Sequence, residues 1–217
     1  LNHYQGLMKN DFIQHLELQL QQPLPGETAQ FRMAHPQRRG SFPAPPHAIS
    51  SAVLALFFPK NDEWHLVFIE RESSNHNDKH KGQISFPGGR YDETDGAFDR
   101  TALREAEEEV GVDPATVRLL GKLTELYIPV SNFNVYPYVG MVDYQPQFRA
   151  QVSEVKSILE VPFRHFQDPL NEGITTVTIN NNLVLNDIPY FDIDGMTLWG
   201  ATAMMISELL EVAGASQ

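Results

Sequence analysis

Three glutamates, Glu105, Glu108 and Glu109, stand at i, i+3 and i+4 within residues 98–110, the most strongly helical stretch of the chain. On a helix that spacing puts their carboxylates on one face, with Cβ atoms about 5–6 Å apart. Leu103, Ala106 and Val110 then fall on a second face suited to packing. The carboxylate face is unfavourable for two reasons. Like charges at this spacing repel by roughly a few tenths of a kcal/mol per pair. Gly111 also marks the end of the helix, so the charges crowd its last turns, where the helix dipole disfavours anions by a similar amount. A hard divalent cation relieves both penalties, since Mg²⁺ is held by carboxylates together with waters and substrate phosphates. The competing reading is a solvated acidic face, the usual use of a charge run. Against it, average residue frequencies put the chance of Arg-Glu-x-x-Glu-Glu-x-Gly arising anywhere in such a chain at about 10⁻⁴.

The elements that must position this helix are mostly strands. Residues 52–58 are a near-continuous apolar run, the pattern of a strand buried on both faces. A turn at Asn61-Asp62-Glu63 leads to a second strand at 64–69, completing a hairpin. Residues 73–82 are polar and loop-like, and Phe86-Pro87-Gly88-Gly89 ends a short strand. Further strands are expected at 117–126, 135–142 and 155–161, then a short helix at 162–166. A hairpin joins 174–179 to 183–188 through three asparagines, and a last helix spans 200–212 with Met204, Ile206, Leu209 and Leu210 near one face. Many strands with few, separated helices indicate an α/β (α+β) domain, a mixed sheet sandwiched between helices. Residues 12–20 read as one amphipathic helix, and 26–46, rich in Pro, Gly and Arg, as an irregular connection. The expected division is an extension at 1–46 and a main domain at 47–217.

Composition narrows the partners. The chain carries 16 Lys and Arg against 28 Asp and Glu, net −12, so its surface repels nucleic acid. A nucleotide-like small substrate would need metal ions or a few arginines at its phosphates. Zero cysteines exclude disulfides, thiolate metal sites and a cysteine nucleophile. The eight histidines show no His-Glu-x-x-His or similar spacing, so no zinc site is assigned. No apolar run approaches the ~18 residues needed to span a bilayer, and no secretory leader is expected. A cytoplasmic, non-membrane protein is expected. The sequence does not fix oligomeric state and admits a homodimer.

Gly89, Asp95 and the run Arg104-Glu105-Ala106-Glu107-Glu108-Glu109-Val110-Gly111-Val112 together resemble the Nudix box. Asp95 stands where that pattern has its first Glu, one residue further from the Arg than usual. The resemblance implies a Nudix fold and a pyrophosphohydrolase using Mg²⁺ or Mn²⁺, with Glu105, Glu108, Glu109 and the Gly88 carbonyl as ligands. Arg104 would orient the carboxylates through a bidentate pair. The general base stays open between Glu105 and Glu109 on the helix and Glu154 before the 155–161 strand.

The flanking segments resemble the coenzyme A pyrophosphatases of that family. Arg71, then His80-Lys81-Gly82-Gln83-Ile84-Ser85-Phe86-Pro87-Gly88-Gly89, matches the signature upstream of the box, and Tyr127 to Phe133 and Trp199 to Ala203 are also similar. Arg71, His80, Gln83, Phe86 and Tyr127 are the substrate-facing candidates this implies, although packing is the commoner use of an aromatic such as Tyr127. Arg38 and Arg39 are candidates for the 3′-phosphate of coenzyme A. The implied reaction is in-line attack of water on one phosphorus of the diphosphate of coenzyme A or its thioesters, giving 3′,5′-ADP and 4′-phosphopantetheine. Two alternatives remain open: hydrolysis of ADP-ribose, dinucleotides or other nucleoside diphosphate derivatives, and a non-catalytic ligand-sensing domain.

Overall fold

The apolar run at 52–58 has no polar face because it lies inside a sheet covered on both sides. In the computed structural model, which describes residues 2–38, 43–72, 81–179 and 183–214, it is the middle of β1 (Ile49–Lys60). Asn61 and Asp62, both at positive φ, turn the chain into β2 (Glu63–Arg71). These strands pair only from Phe57↔Leu66 to Lys60↔Glu63. Beyond that they part, and the segment 84–90 enters between them. β3 (Ile84–Ser85) pairs with β2, and β4 (Gly88–Arg90) pairs with β1.

The rest of the main sheet is added outside this split. β5 (Arg118–Lys122) and β6 (Leu126–Ile128) pair antiparallel with β7 (Phe133–Met141), which lies parallel to β1 from Ile49↔Phe133 to Phe57↔Met141. β8 (Val155–Pro162) runs antiparallel to β2. The eight-stranded sheet is therefore mixed. A second, antiparallel sheet contains β9 (Glu172–Ile179), β10 (Leu183–Ile193) and β11 (Met196–Trp199). The asparagines at 180–182 lie outside the described residues. β11 goes beyond the sequence expectation, yet its signal was present: Asp194-Gly195, both at positive φ, is a strong hairpin dipeptide.

Among the described residues the α-helices are α1 (Asn2–Gln19), α2 (Glu27–Gln30), α3 (Phe98–Val110) and α4 (Gly200–Val212); α1, α3 and α4 contribute to the core on the faces of the main sheet, and α2 packs on α4. Strand alternation sorts the core. Leu54, Leu56, Phe58, Val67 and Ile69 face Ala102, Ala106 and Val110 of α3. Ala55, Phe57, Leu66 and Phe68 face the other way, toward Ile13 and Leu16 of α1 and Met204 and Leu209 of α4. No helix among the described residues is long and apolar enough to cross a membrane.

Three elements differ from expectation. The first helix begins at Asn2 rather than near residue 12, and the connection after it contains α2 and two single 3₁₀ turns, Phe31–Met33 and Pro36–Arg38. The last helix is buried nearly all round, because α2 packs on the side opposite the sheet; the Ser207 hydroxyl donates to Ala29 O at 2.7 Å. The strand expected at 117–126 breaks into β5 and β6 because Thr124 leaves the ladder. Its N–H and hydroxyl both donate to Glu208, the hydroxyl at 2.6 Å. Glu208, fully buried on α4, also accepts from Gly26 N at 3.1 Å and Gln30 Nε2 at 2.9 Å. One carboxylate thus ties the N-terminal segment to both α4 and the main sheet.

Candidate active site

Two glycines bring the glutamate helix to the split between β1 and β2. A Cβ on Gly88 would stand 2.4 Å from Ala52 O, so only glycine lets β4 lie this close to β1. A Cβ on Gly89 would stand 2.4 Å from Cδ of Glu105, so the carboxylate of Glu105 occupies the space a side chain would take. Gly88 N donates to Glu109 Oε2 at 2.8 Å, which holds the second carboxylate against the same loop.

Burial separates the three glutamates. The side chain of Glu109 is 1% exposed, that of Glu105 12% and that of Glu108 55%. Desolvation pushes the Glu109 carboxyl up to about 8, opposed only in part by the Gly88 N–H and by Arg71, whose Nη1 lies 3.6 Å from Oε1. Glu105 is also raised, first by burial, against the pull of Arg104. Glu154, on the loop before β8, adds repulsion to both.

Arg104 makes its bidentate pair with Asp95, Nε to Oδ1 at 2.8 Å and Nη2 to Oδ2 at 3.0 Å. Its Nη1 reaches Glu105 at 2.9 Å and Glu108 at 3.2 Å. Asp95, nearly buried, also accepts from Thr101 Oγ1 at 2.7 Å and from Asp92 N at 3.2 Å. These bonds, led by Arg104, hold its carboxyl down at about 2. Both Asp95 oxygens are committed to protein donors, so Asp95 acts here as the anchor of Arg104.

Glu105, Glu109, Gly88, Arg71, Gln83, Phe86 and Glu154 all line one cavity of about 730 Å³. Arg104 and Glu108 do not; they stand on the solvent side of α3. Tyr127 also stands apart. Strand alternation puts Ile128 in the large cavity and Tyr127 beside a smaller one of about 190 Å³, with its hydroxyl on Asn132 Oδ1 at 2.9 Å. His80 and Arg39 lie outside the described residues. Arg38 borders both cavities. The sequence pattern did not reveal the rest of the wall: Met33 and His35 from the N-terminal segment, Ile188 from the second sheet, and Met204 and Met205 from α4. No spacing rule links residues so far apart in the chain.

A mixed sheet packed between helices carries one helix that presents two buried carboxylates to an open cavity. Residues 49–173 match the NUDIX domain family model. The chain is 32% identical over 190 residues to an uncharacterised Nudix hydrolase, NudL, of Yersinia enterocolitica, covering 84% of this chain and 89% of the relative. A protein of the same description from Pectobacterium atrosepticum is 37% identical over 153 residues, 70% of this chain and 68% of its own. The MutT protein of Methanosarcina mazei, a solved structure, covers 75% of this chain and 92% of its own at 15% identity and a TM-score of 0.49. The chain belongs to the Nudix family, hydrolases of phosphoric anhydride bonds that generally need a divalent metal ion.

Proposed function

We propose that the chain hydrolyses the diphosphate of coenzyme A or its thioesters to 3′,5′-ADP and 4′-phosphopantetheine or its acyl form, using Mg²⁺ or Mn²⁺. The observation that carries this reading is convergence. The three segments that resemble coenzyme A pyrophosphatases, Gln83 to Gly89, Ile128 to Phe133 and Trp199 to Thr202, come from separate elements yet border the same cavity. That cavity is lined both by Glu105, Glu109 and Glu154 and by apolar side chains such as Val53, Ile128, Met204 and Met205, a mixture that suits a substrate with a diphosphate and a pantetheine arm.

The donor set fits a hard cation. Glu109 is a buried carboxylate with one hydrogen bond and a distant arginine, and Glu105 lies beside it over Gly89. Among the described residues no three His, Asp or Glu side chains are gathered into a cage. Glu105 and Glu109 would hold such an ion, with Glu108 and the Gly88 carbonyl as further ligands. When bound, the metal lowers the pKa of a coordinated water and neutralises charge on the phosphate oxygens. Glu154 faces the same cavity and takes the proton of the attacking water. Attack forms one P–O bond as the bridging P–O bond breaks, and the second phosphate leaves as a monoester. Arg71 and Gln83 orient the diphosphate, Phe86 walls its approach, and Arg104, anchored by Asp95, steadies Glu105.

Incubation with coenzyme A and Mg²⁺ or Mn²⁺ should release 3′,5′-ADP, read by chromatography. No product at high enzyme concentration, with turnover of ADP-ribose or a dinucleotide instead, would overturn the substrate assignment.

A further inference from the structure

Gly89, under Glu105, pairs with Ala52 of β1, whereas Ile128 pairs with Phe133 at the Ile49 end of that strand, three residues away. Arg38, His35 and Ser131 border the same cavity as the glutamates. Arg38 Nη2 donates to Tyr127 O, the residue that leads into the turn carrying Ser131. No carboxylate pairs with Arg38 among the described residues; Glu27 and Glu125 border the smaller cavity on its other side without reaching it. Burial lowers its pKa with no opposing acid, the condition of an uncompensated cation. His35 Nδ1 accepts from Gln37 N at 3.2 Å, which leaves Nε2 as the ring's donor. Ser131 Oγ is buried with no hydrogen-bond partner among the described residues. Buried polar atoms are nearly always satisfied, so an orphan lining a cavity points to a ligand.

A fixed cation, an imidazole N–H and a hydroxyl, grouped around the 127–131 turn and displaced along β1 from Gly89, form a donor set for an anion rather than for a metal or an apolar chain. We propose that Arg38, His35 and Ser131 form a second anion subsite, which takes a phosphate monoester of the substrate distinct from the diphosphate that is cut. This rests on the reading above, in which the substrate carries such a group on its ribose. The N-terminal segment is then part of the binding site, and the Glu208 clasp that fixes residues 26–30 positions it.

The test compares ligands that differ only in that phosphate. Binding of adenosine 3′,5′-bisphosphate and of AMP, each with Mg²⁺, is measured by calorimetry on the wild type, Arg38→Ala and Ser131→Ala. The wild type should prefer the bisphosphate by about tenfold or more, the scale of one charge-assisted hydrogen bond. Arg38→Ala should bring the ratio near one, and Ser131→Ala should lower it severalfold; its single-atom deletion keeps the test usable if Arg38→Ala misfolds. The ratio of kcat/KM for coenzyme A over 3′-dephospho-coenzyme A should fall in parallel. Equal wild-type binding of the two nucleotides, no bisphosphate binding, or a ratio unmoved by either variant overturns the subsite. A preference that both variants abolish, in an enzyme that does not cut coenzyme A, overturns the substrate assignment and leaves the subsite standing.

Discussion

Exchanging the proton on Glu109 for a divalent cation should make metal binding steeply pH-dependent. Glu109 is 1% exposed, and burial raises its carboxyl to about 8. A carboxyl with that value is about 90% protonated at pH 7, so binding one cation there releases about 0.9 proton at pH 7 and about 0.5 at pH 8. Apparent affinity should therefore rise about fiftyfold from pH 6 to pH 8 and less than about twofold above it. Calorimetric titration with Mn²⁺ in buffers of different ionisation enthalpy counts the protons directly. Glu105, raised in the same direction, adds to the wild-type count, so the decisive quantity is the difference between wild type and Glu109→Gln. A variant that releases as many protons as the wild type, or a wild-type affinity flat between pH 6 and 8, refutes the reasoning. The same shift predicts stability. The metal-free folded state keeps a proton that the unfolded chain loses above about 4.5, so this contribution is present below pH 4.5 and lost as pH rises to about 8. The slope is about 1.4 kcal/mol per pH unit for this buried group. Mn²⁺ should reverse the loss, seen as a rise in Tm that is larger at pH 8 than at pH 6.

Gly89→Ala places a methyl within 2.5 Å of the Glu105 carboxylate, so turnover should fall about a hundredfold or more while the circular dichroism spectrum is unchanged. Asp95 is held at about 2, below its ordinary 3.8, so it stabilises the fold above pH 3.8 and that contribution fades as pH falls toward 2. Asp95→Asn should cost about 2 kcal/mol at neutral pH in urea unfolding and lower kcat by freeing Arg104. Glu208→Ala strands the donors of Gly26, Gln30 and Thr124, and about 3 kcal/mol of stability should be lost, with faster proteolysis within residues 1–38. Unchanged stability in that variant would show that the N-terminal segment is held elsewhere.

Local pattern made much of the frame legible. The run at 52–58 announced a strand buried on both faces, because a strand with two covered faces has no polar positions to alternate. Residues 98–110 announced a helix with its stop at Gly111, and the structure ends it there at positive φ. Local pattern failed where a distant group intervened. Residues 117–126 carry strand chemistry, but Glu208 draws the donors of Thr124 out of the ladder. Residues 200–212 look amphipathic, but α2 covers the face that would otherwise meet water.

For the site, the sequence by itself placed the three carboxylates on one face of a common helix, because this depends on residue type and short spacing; the close approach of Gly88 and Gly89 to that helix is a finding of the structure. The sequence also determined the family, through the same residues. Only the tertiary structure decided how the three glutamates divide, with Glu109 buried against Gly88 N, Glu105 over Gly89 and Glu108 turned toward Arg104 and solvent. It likewise made Asp95 an anchor for Arg104 and brought Arg38, Ser131 and Glu154 to one cavity. Burial and cavity walls arise from contacts between residues far apart in the chain, and no local pattern encodes them.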